Sequence, residues 1–258
     1  RPNKQDDGFS VKRTACVFIR KEPFYRRSAV ETGLKRLGYT ISDRVVWPSK
    51  KEDALVIWNK KAGAEEDRAD QWEARGGTVI VMENGYLQQV DKTYYAISAH
   101  GHNGSGYYPV GDDLRFPKLG FTLKPWRNGL GEMLVRAQRG VGSRSMASPP
   151  QWAEKLVAKF KANKVTARLV PHPGDKNKLA LDAAALKTAG ILHIWSSAMG
   201  VRALVEGVTV IHHAPHWICA GANESNRAAA LEKMAWGQWN VDEISSGEPF
   251  ARILGSKS

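Results

Sequence analysis

The chain of 258 residues is 42% hydrophobic and 25% charged, a balance that is typical of folded globular proteins and excludes a disordered or fibrous chain. Its 38 Lys and Arg residues exceed its 26 Asp and Glu residues to give a formal net charge of +12, which favours a polyanionic partner such as nucleic acid, an acidic surface or a phosphorylated substrate. No run approaches the ~18 apolar residues of a membrane-spanning helix, and no signal peptide is recognisable.

The first third of the chain alternates strand-like and helix-like segments. Apolar runs such as "DALVIWN" predict buried strands, and amphipathic segments that end at glycine, such as "AEEDRADQWEARG", predict helices. In chain order the predicted elements are a strand at 14–20, a helix at 25–38, a strand at 53–59, a helix at 64–76 and a strand at 78–84. This βαβαβ order predicts a parallel sheet with helices on its faces.

Residues 85–131 are rich in aromatic residues, Gly and Pro and predict loops with irregular β structure, a pattern typical of a functional segment or a domain junction. From residue 132 the alternation of strands and helices returns and continues to a terminal helix at 226–239. The sequence therefore predicts two similar α/β domains, residues 1–130 and residues 131–258.

Four loops of the second domain follow predicted strands. They are "QRGVGS" (138–143), "PHPG" (171–174), "SSAMG" (196–200) and "HHAPHW" (212–217). Because the carboxyl ends of parallel strands meet at one edge of a sheet, we expect these loops to converge on a cleft that binds a ligand. Ser196 and Ser197 precede a helix, whose N-terminus offers free N–H groups and a partial positive charge to an anion.

These loops resemble the donor half of a GT-B glycosyltransferase over roughly residues 132–240. The segment "SSAMGVRALVEGVTVI" is similar to the "SS-x-x-G-x-E-A-L-x-x-G-x-P-V-I" pattern of polysaccharide-type members, and departs from it at Arg202 and Thr209. The resemblance implies an α/β fold of two Rossmann-like domains facing a cleft, a nucleotide-sugar donor that we expect to be a UDP-sugar, and no required cofactor. The donor-binding residues that it implies are Arg139, Gly140, Gly142, Ser143, His172, Ser196, Ser197, Met199, Gly200, Arg202 and Glu206.

In this interpretation the N–H groups from Ser196 to Gly200 hold a diphosphate, and Arg139 and Arg202 neutralise it. Stabilising the departing diphosphate is the main electrostatic task of such a transfer. Glu206 points toward the ribose or pairs with Arg202, one helical turn away. The alternative interpretation is a serine-capped helix in an α/β domain without this chemistry.

The loop "SAHGHNGSGYYP" supplies candidates for the group that takes a proton from the acceptor hydroxyl. His102 is our first choice, Glu83 the second and Asp112 or Asp113 the third, with His100 a further candidate in the same loop. The alternative is a glycine-tolerant turn whose histidines bond backbone groups. We predict no metal site, because no third ligand accompanies the two histidines.

Basic residues recur at strand ends and turns of the first domain, where they are expected to line a rim of the cleft. A basic rim beside a sugar-transfer site resembles the bacteriophage glycosyltransferases that modify hydroxymethyluracil or hydroxymethylcytosine in double-stranded DNA. That resemblance implies a target base that leaves the stack and is held by aromatic side chains. The nucleic-acid-binding residues predicted on this basis are Arg20, Lys21, Arg26, Arg27, Lys60, Lys61, Tyr107 and Tyr108.

Two other functions stay open. One is a glycosyltransferase of cell-surface polysaccharide, whose basic face would meet anionic lipid or an acidic glycan, and the other is a non-catalytic nucleic-acid-binding protein. Cys16 and Cys219 match no metal-binding or redox spacing and are interpreted as buried free thiols. We therefore expect a cytoplasmic monomer, in the host-cell cytoplasm if the source is a virus.

Overall fold

The computed structural model describes residues 13–22, 24–89, 92–111, 114–172, 174 and 178–255, and for residues 178 and 179 it describes the backbone alone. Asp112 and Asp113, two of the candidate bases, lie outside the described residues. Within these ranges the chain forms ten strands and eight α-helices, and the strands make two sheets.

The first sheet follows the predicted βαβαβ order. Its strands are β1 (Arg13–Phe18), β2 (Tyr39–Ser42), β3 (Ala54–Trp58), β4 (Thr78–Asn84) and β5 (Tyr94–Ala99). The first four pair in parallel, and β5 runs antiparallel beside β4. The sequence analysis did not predict β2, a four-residue edge strand with one fully buried side chain, because so short a segment carries little periodicity.

Helices cover both faces of this sheet. Helix α1 (Arg27–Arg36) packs over Val56 and Ile80, whereas α2 (Ala64–Ala74) covers the opposite face through Trp72. Because the central strands are buried on both faces, their sequences are nearly continuous apolar runs instead of alternating patterns.

The second sheet is entirely parallel, with the order β7-β6-β8-β9. Its strands are β6 (Glu132–Arg136), β7 (Arg168–Val170), β8 (Ala189–Ile194) and β9 (Thr209–His212). The helices that follow these strands in the chain are α3 (Trp152–Ala162), α4 (Lys178–Thr188), α5 (Ala198–Val205) and α6 (Arg227–Ala235). Parallel pairing places the carboxyl ends of all four strands at one edge.

The C-terminal segment returns to the first sheet, which the division at residue 130 did not anticipate. Strand β10 (Gln238–Asn240) pairs antiparallel with β5. The two following helices, α7 (Val241–Ser246) and α8 (Glu248–Leu254), pack against α1. Gly33 permits this packing, because a Cβ at that position would collide with the carbonyl oxygen of Ile244.

The second sheet holds a pair of histidines, of which His193 is buried and His213 is half-buried. Nδ1 of His193 lies 3.0 Å from Nε2 of His213, and the ring of Phe160 packs edge-on against His193. Burial, followed by the charge of His213, lowers the pKa of His193 to about 4. Burial, followed by the charge of His212, lowers the pKa of His213. Both rings are therefore neutral in the folded protein at pH 7.

We predict that the folded protein loses stability as the pH falls from 6.5 toward 4. His193 binds a proton near pH 6.5 in the unfolded chain but only near pH 4 in the folded protein, so protons favour the unfolded chain in this window. Urea unfolding at a series of pH values measures the loss. His193→Phe should remove on the order of 2 kcal/mol of it. Equal pH slopes for His193→Phe and the wild type would contradict the assignment.

Candidate active site

A cavity of about 570 Å³ lies between the two sheets, at the carboxyl ends of their parallel strands. The first-sheet wall of this cavity includes Phe24, Tyr25, Trp58, Lys61, Glu83 and Tyr86. The second-sheet wall includes Gln138, Arg139, His172, Ser196 and Ser197. The loop after β5 adds His102 and Asn103. The cavity thus occupies the edge where ligands of open α/β sheets bind.

The N-terminus of α5 opens onto this cavity. Ser197 caps the helix, with its Oγ accepting a hydrogen bond of 3.2 Å from the N–H of Met199. The N–H of Ser196 donates to Oε1 of Gln138 at 2.7 Å, which joins the α5 start to the loop after β6. Ser197 therefore caps the helix, and the same helix end is also suited to binding an anion.

His172 lies beside this helix end in the turn after β7. The N–H of Gly174 donates to Nδ1 of His172 at 3.1 Å, so Nδ1 is an acceptor and the neutral ring carries its proton on Nε2. A ring in this tautomer can donate a hydrogen bond from Nε2 to an oxyanion in the cavity.

The turn after β6 shapes the same wall. Arg139 lines the cavity and is exposed, while Gly140 and Gly142 adopt positive φ angles of 67° and 149°. The carbonyl of Gly142 accepts a hydrogen bond of 2.8 Å from the N–H of Ala62 in the first sheet's loops. Ser143 is buried, and its hydroxyl bonds that of Ser145 instead of lining the cavity.

Two predicted donor-binding residues on α5 serve packing. Met199 is fully buried, although its N–H lies in the first turn of the helix. A Cβ at Gly200 would collide with the side chains of Ile194 and Trp217, so glycine there lets the helix lie close to β8. These residues fix the position of the helix end.

The expected roles of Arg202 and Glu206 do not match their positions. The guanidinium of Arg202 contacts Asp182 at 2.5 Å, and the same carboxylate lies 2.7 Å from Arg136. Glu206 follows α5 and lies 3.8 Å from Arg127. Both residues lie beyond the first turn of the helix and neither lines the cavity, because only the first turn of α5 reaches the ligand side.

Glu83 stands at the end of β4 in a chain of hydrogen bonds. The hydroxyl of Tyr86 donates to its Oε1 at 2.5 Å and lies 2.8 Å from the hydroxyl of Tyr108. Burial, followed by the charge of Glu83, raises the pKa of Tyr86 well above its ordinary value. Tyr86 therefore stays protonated and keeps the Glu83 carboxylate oriented at the cavity surface.

The two histidines of the loop after β5 have different surroundings. His102 is 7% exposed and lines the cavity, and its Nδ1 is buried without a hydrogen-bond partner in the part of the chain that the structure describes. His100 is exposed, bonds Glu73 at 2.8 Å and does not line the cavity. Of the two, His102 alone is positioned to act on a bound molecule.

Asn103, which the sequence analysis did not single out, connects the two sheets. Its Nδ2 donates to the carbonyl of Ser196 at 2.6 Å, and its Oδ1 accepts from the N–H of Ile218 at 2.9 Å. Its own N–H donates to the hydroxyl of Tyr86 at 3.0 Å. The residue adopts a φ of 54°, a left-handed conformation that asparagine tolerates better than most residues. One side chain thus bridges the two walls of the cavity.

Two of the predicted nucleic-acid-binding residues are buried. Lys60 is buried and pairs with Asp70 and Glu73, and Tyr108 is buried beside Tyr86.

The other members of that set are half-buried or exposed. Arg27 pairs with Glu31 at 2.6 Å, and Arg20 lies over the ring of Tyr25. Lys21, Arg26 and Tyr107 are exposed without lining the cavity, whereas Lys61 is exposed and lines it.

The described residues contain no group of three or more His, Cys, Asp or Glu side chains that could hold a metal ion. Among the same residues, no helix is both long enough and apolar enough to cross a membrane.

Two solved structures resemble the chain over most of its length. The β-Kdo 2,7-transferase of Thermosulfurimonas dismutans KpsC matches with a TM-score of 0.54 and 13% identity, over 92% of this chain and 98% of that chain. The β-Kdo 2,4-transferase of the same protein matches with a TM-score of 0.51 and 16% identity, over 90% and 98%. No family model and no curated protein matches the sequence. The chain therefore has an α/β fold with parallel sheets, of the Rossmann-like kind that these transferases have.

We predict that Asn103→Ala destabilises the protein by about 2–4 kcal/mol, because the carbonyl of Ser196 and the N–H of Ile218 both lose their partner. Urea unfolding provides the measurement. Asn128→Ala is the matched control, since Asn128 is exposed and has a similar φ of 48°. Equal losses of unfolding free energy in the two variants would show that the left-handed backbone conformation, and not the hydrogen bonds of the Asn103 side chain, accounts for the effect.

Proposed function

We propose that the protein is a glycosyltransferase of the two-domain GT-B arrangement, which moves a sugar from a nucleotide-activated donor to an acceptor hydroxyl. The observation that carries the proposal is the cavity itself, which has a helix N-terminus on one wall and two candidate bases on the other. The fold likeness to two Kdo transferases supports it.

The second-sheet wall suits the phosphate of the donor. The hydroxyls of Ser196 and Ser197 and the backbone of Ala198 line this wall at the positive end of the α5 helix dipole, where they can donate hydrogen bonds to a phosphate. The imidazole of His172 and the positively charged side chain of Arg139 line the same wall. Together they would stabilise the negative charge that develops on the leaving nucleotide as the bond from sugar to phosphate breaks.

The first-sheet wall suits the acceptor. Glu83 is a carboxylate held in place by Tyr86, and the ring of His102 lines the same cavity. Either group would take the proton of the attacking hydroxyl while the sugar is transferred.

For the acceptor we propose a glycan of the surface-polysaccharide type. Both similar structures are transferases of the acidic sugar Kdo, and a net charge of +12 suits an acidic sugar as donor or acceptor. DNA, which is also a polyanion and therefore also suits a basic protein, is the second candidate. The burial of Lys60 and Tyr108 and the pairing of Arg27 reduce its support.

The test incubates the purified protein with a panel of sugars activated by UDP, GDP or CMP, activated Kdo among them. Thermal shift reports donor binding, and nucleotide release with mass spectrometry of the acceptor reports transfer. The acceptors are an acidic oligosaccharide and DNA that contains hydroxymethylpyrimidine. A mass gain on the oligosaccharide supports the proposal, and a gain on DNA alone would move DNA to first place. Binding of DNA without binding of any activated sugar would support the non-catalytic alternative.

We predict that Ser197→Ala weakens donor binding by roughly tenfold or more, since it removes a hydroxyl that is available to a charged phosphate. The measurement is the donor dissociation constant by calorimetry. Ser246→Ala is the matched control, because Ser246 also accepts from a helix N–H, at 3.3 Å from Glu248, but lies on the C-terminal helices away from the cavity. Equal donor affinities for the two variants would remove Ser197 from the site.

We predict that Glu83→Gln or His102→Gln, whichever residue is the base, lowers kcat by about 10²- to 10⁴-fold with donor affinity unchanged. His100→Gln, in the same loop but outside the cavity, should keep full activity. The checks are steady-state kinetics and donor calorimetry. Full activity in both cavity variants would exclude the two proposed bases.

A further inference from the structure

The first-sheet wall contains three aromatic rings that meet in an open corner. Phe24 and Tyr25 lie in the loop after β1, and Trp58 ends β3. The ring centroids of Phe24 and Tyr25 lie 4.6 Å apart, and those of Phe24 and Trp58 5.3 Å apart. The centroids of Tyr25 and Trp58 lie 4.8 Å apart. All three side chains line the cavity, and we call them the aromatic corner.

The aromatic corner keeps apolar surface in contact with solvent. Phe24 is 41% exposed, although burying a phenylalanine ring ordinarily gains about 1.5–3 kcal/mol. The loop is nonetheless held in place, because the hydroxyl of Tyr95 donates to the carbonyl of Phe24 at 2.6 Å. A large apolar ring that is fixed at a cavity surface indicates a binding contact.

The relative orientation of the rings favours a sugar over a nucleobase. Trp58 is inclined by 77° to Phe24 and by 79° to Tyr25, and those two rings are inclined by 40° to each other. A flipped base is held by stacking between side chains, which calls for two nearly parallel faces. No two of these three rings are parallel. A sugar packs the C–H groups of one face on a single ring and needs no second face.

Cations accompany the corner. The guanidinium carbon of Arg20 lies 5.8 Å from the ring centroid of Tyr25, and the exposed Lys61 lines the same cavity. Acidic groups nearby are Glu22, in the loop of Phe24, and Glu83, whose carboxylate is held by Tyr86. Lys61 therefore offers a charge at the cavity surface to an anionic group beside the aromatic corner.

We propose that the aromatic corner is the acceptor subsite, where a ring of an acidic saccharide stacks on Phe24 while its carboxylate pairs with Lys61. The inference rests on the proposed sugar transfer and specifies the class of acceptor and the residues that bind it. Stacking orients the ring, and the carboxylate contact selects acidic over neutral sugars.

The first experiment measures binding without turnover. An oligogalacturonate, a neutral malto-oligosaccharide of equal length and a single-stranded oligonucleotide of equal charge are titrated into the full chain by saturation-transfer NMR and calorimetry. We expect the oligogalacturonate to bind most tightly. Phe24→Ala should weaken its binding about tenfold, and Phe24→Tyr should restore it. Lys61→Gln should weaken binding of the oligogalacturonate but not of the neutral sugar.

Two control variants test whether the loss of binding depends on residues of the cavity. Tyr107→Ala removes another exposed aromatic ring, and Lys159→Gln removes an exposed charge on α3; neither residue lines the cavity. Both variants should bind the oligogalacturonate as the wild type does. Unchanged binding in Phe24→Ala, or tighter binding of the oligonucleotide with the same dependence on Phe24, would overturn the inference.

The second experiment separates this inference from the proposed function. Release of nucleotide from the donor in the absence of acceptor should be the same in Phe24→Ala and the wild type, while the KM for a saccharide acceptor rises about tenfold. Donor turnover without saccharide binding by the wild type would overturn the acceptor subsite and leave sugar transfer standing. Saccharide binding that depends on Phe24, without turnover of any donor, would overturn sugar transfer and leave a saccharide-binding site.

Discussion

The candidate site depends on the hydrogen bonds of Asn103. This side chain bonds the carbonyl of Ser196 at the start of α5 and the N–H of Ile218, while its backbone N–H bonds Tyr86 on the first-sheet wall. The contact is close, because a Cβ at the neighbouring Gly104 would collide with the backbone of Trp217. Both walls of the cavity are thereby held at a fixed separation, which a transfer between two bound molecules requires.

A buried ion cluster supports the second-sheet wall from behind. Asp182 is fully buried between Arg136 and Arg202, at 2.7 and 2.5 Å. Arg136 also donates to the carbonyl of Pro171, the residue before His172. Burial lowers the pKa of both arginines, and the charge of Asp182 opposes that effect. Removing one member of such a cluster is costly because it leaves a buried charge unpaired, so the cluster ties β6, α4 and α5 to the turn that carries His172.

The two walls differ in chemistry as a transfer reaction would require. The second-sheet wall offers hydrogen-bond donors and a positive helix end, whereas the first-sheet wall combines a carboxylate, a histidine and the aromatic corner. Three of the basic residues, Lys60, Arg136 and Arg202, pair with carboxylates inside the fold and are not offered to a ligand.

The sequence by itself determined the parallel α/β elements, because buried strands and amphipathic helices have distinct periodicities. It also predicted that Ser196, Ser197, His172 and Glu83 lie at strand ends, and all four line the cavity because strand ends of parallel sheets share an edge. Tertiary structure alone decided which charges stay available. Arg202 and Lys60 look like ligand-binding cations in the chain, yet each meets a carboxylate distant in sequence. Asn103 and the aromatic corner likewise gain their roles from partners that linear order does not reveal. Ion pairs between residues distant in sequence form only when the chain folds. The return of residues 238–254 to the first sheet likewise depends on the apolar surface that this segment buries in the folded protein.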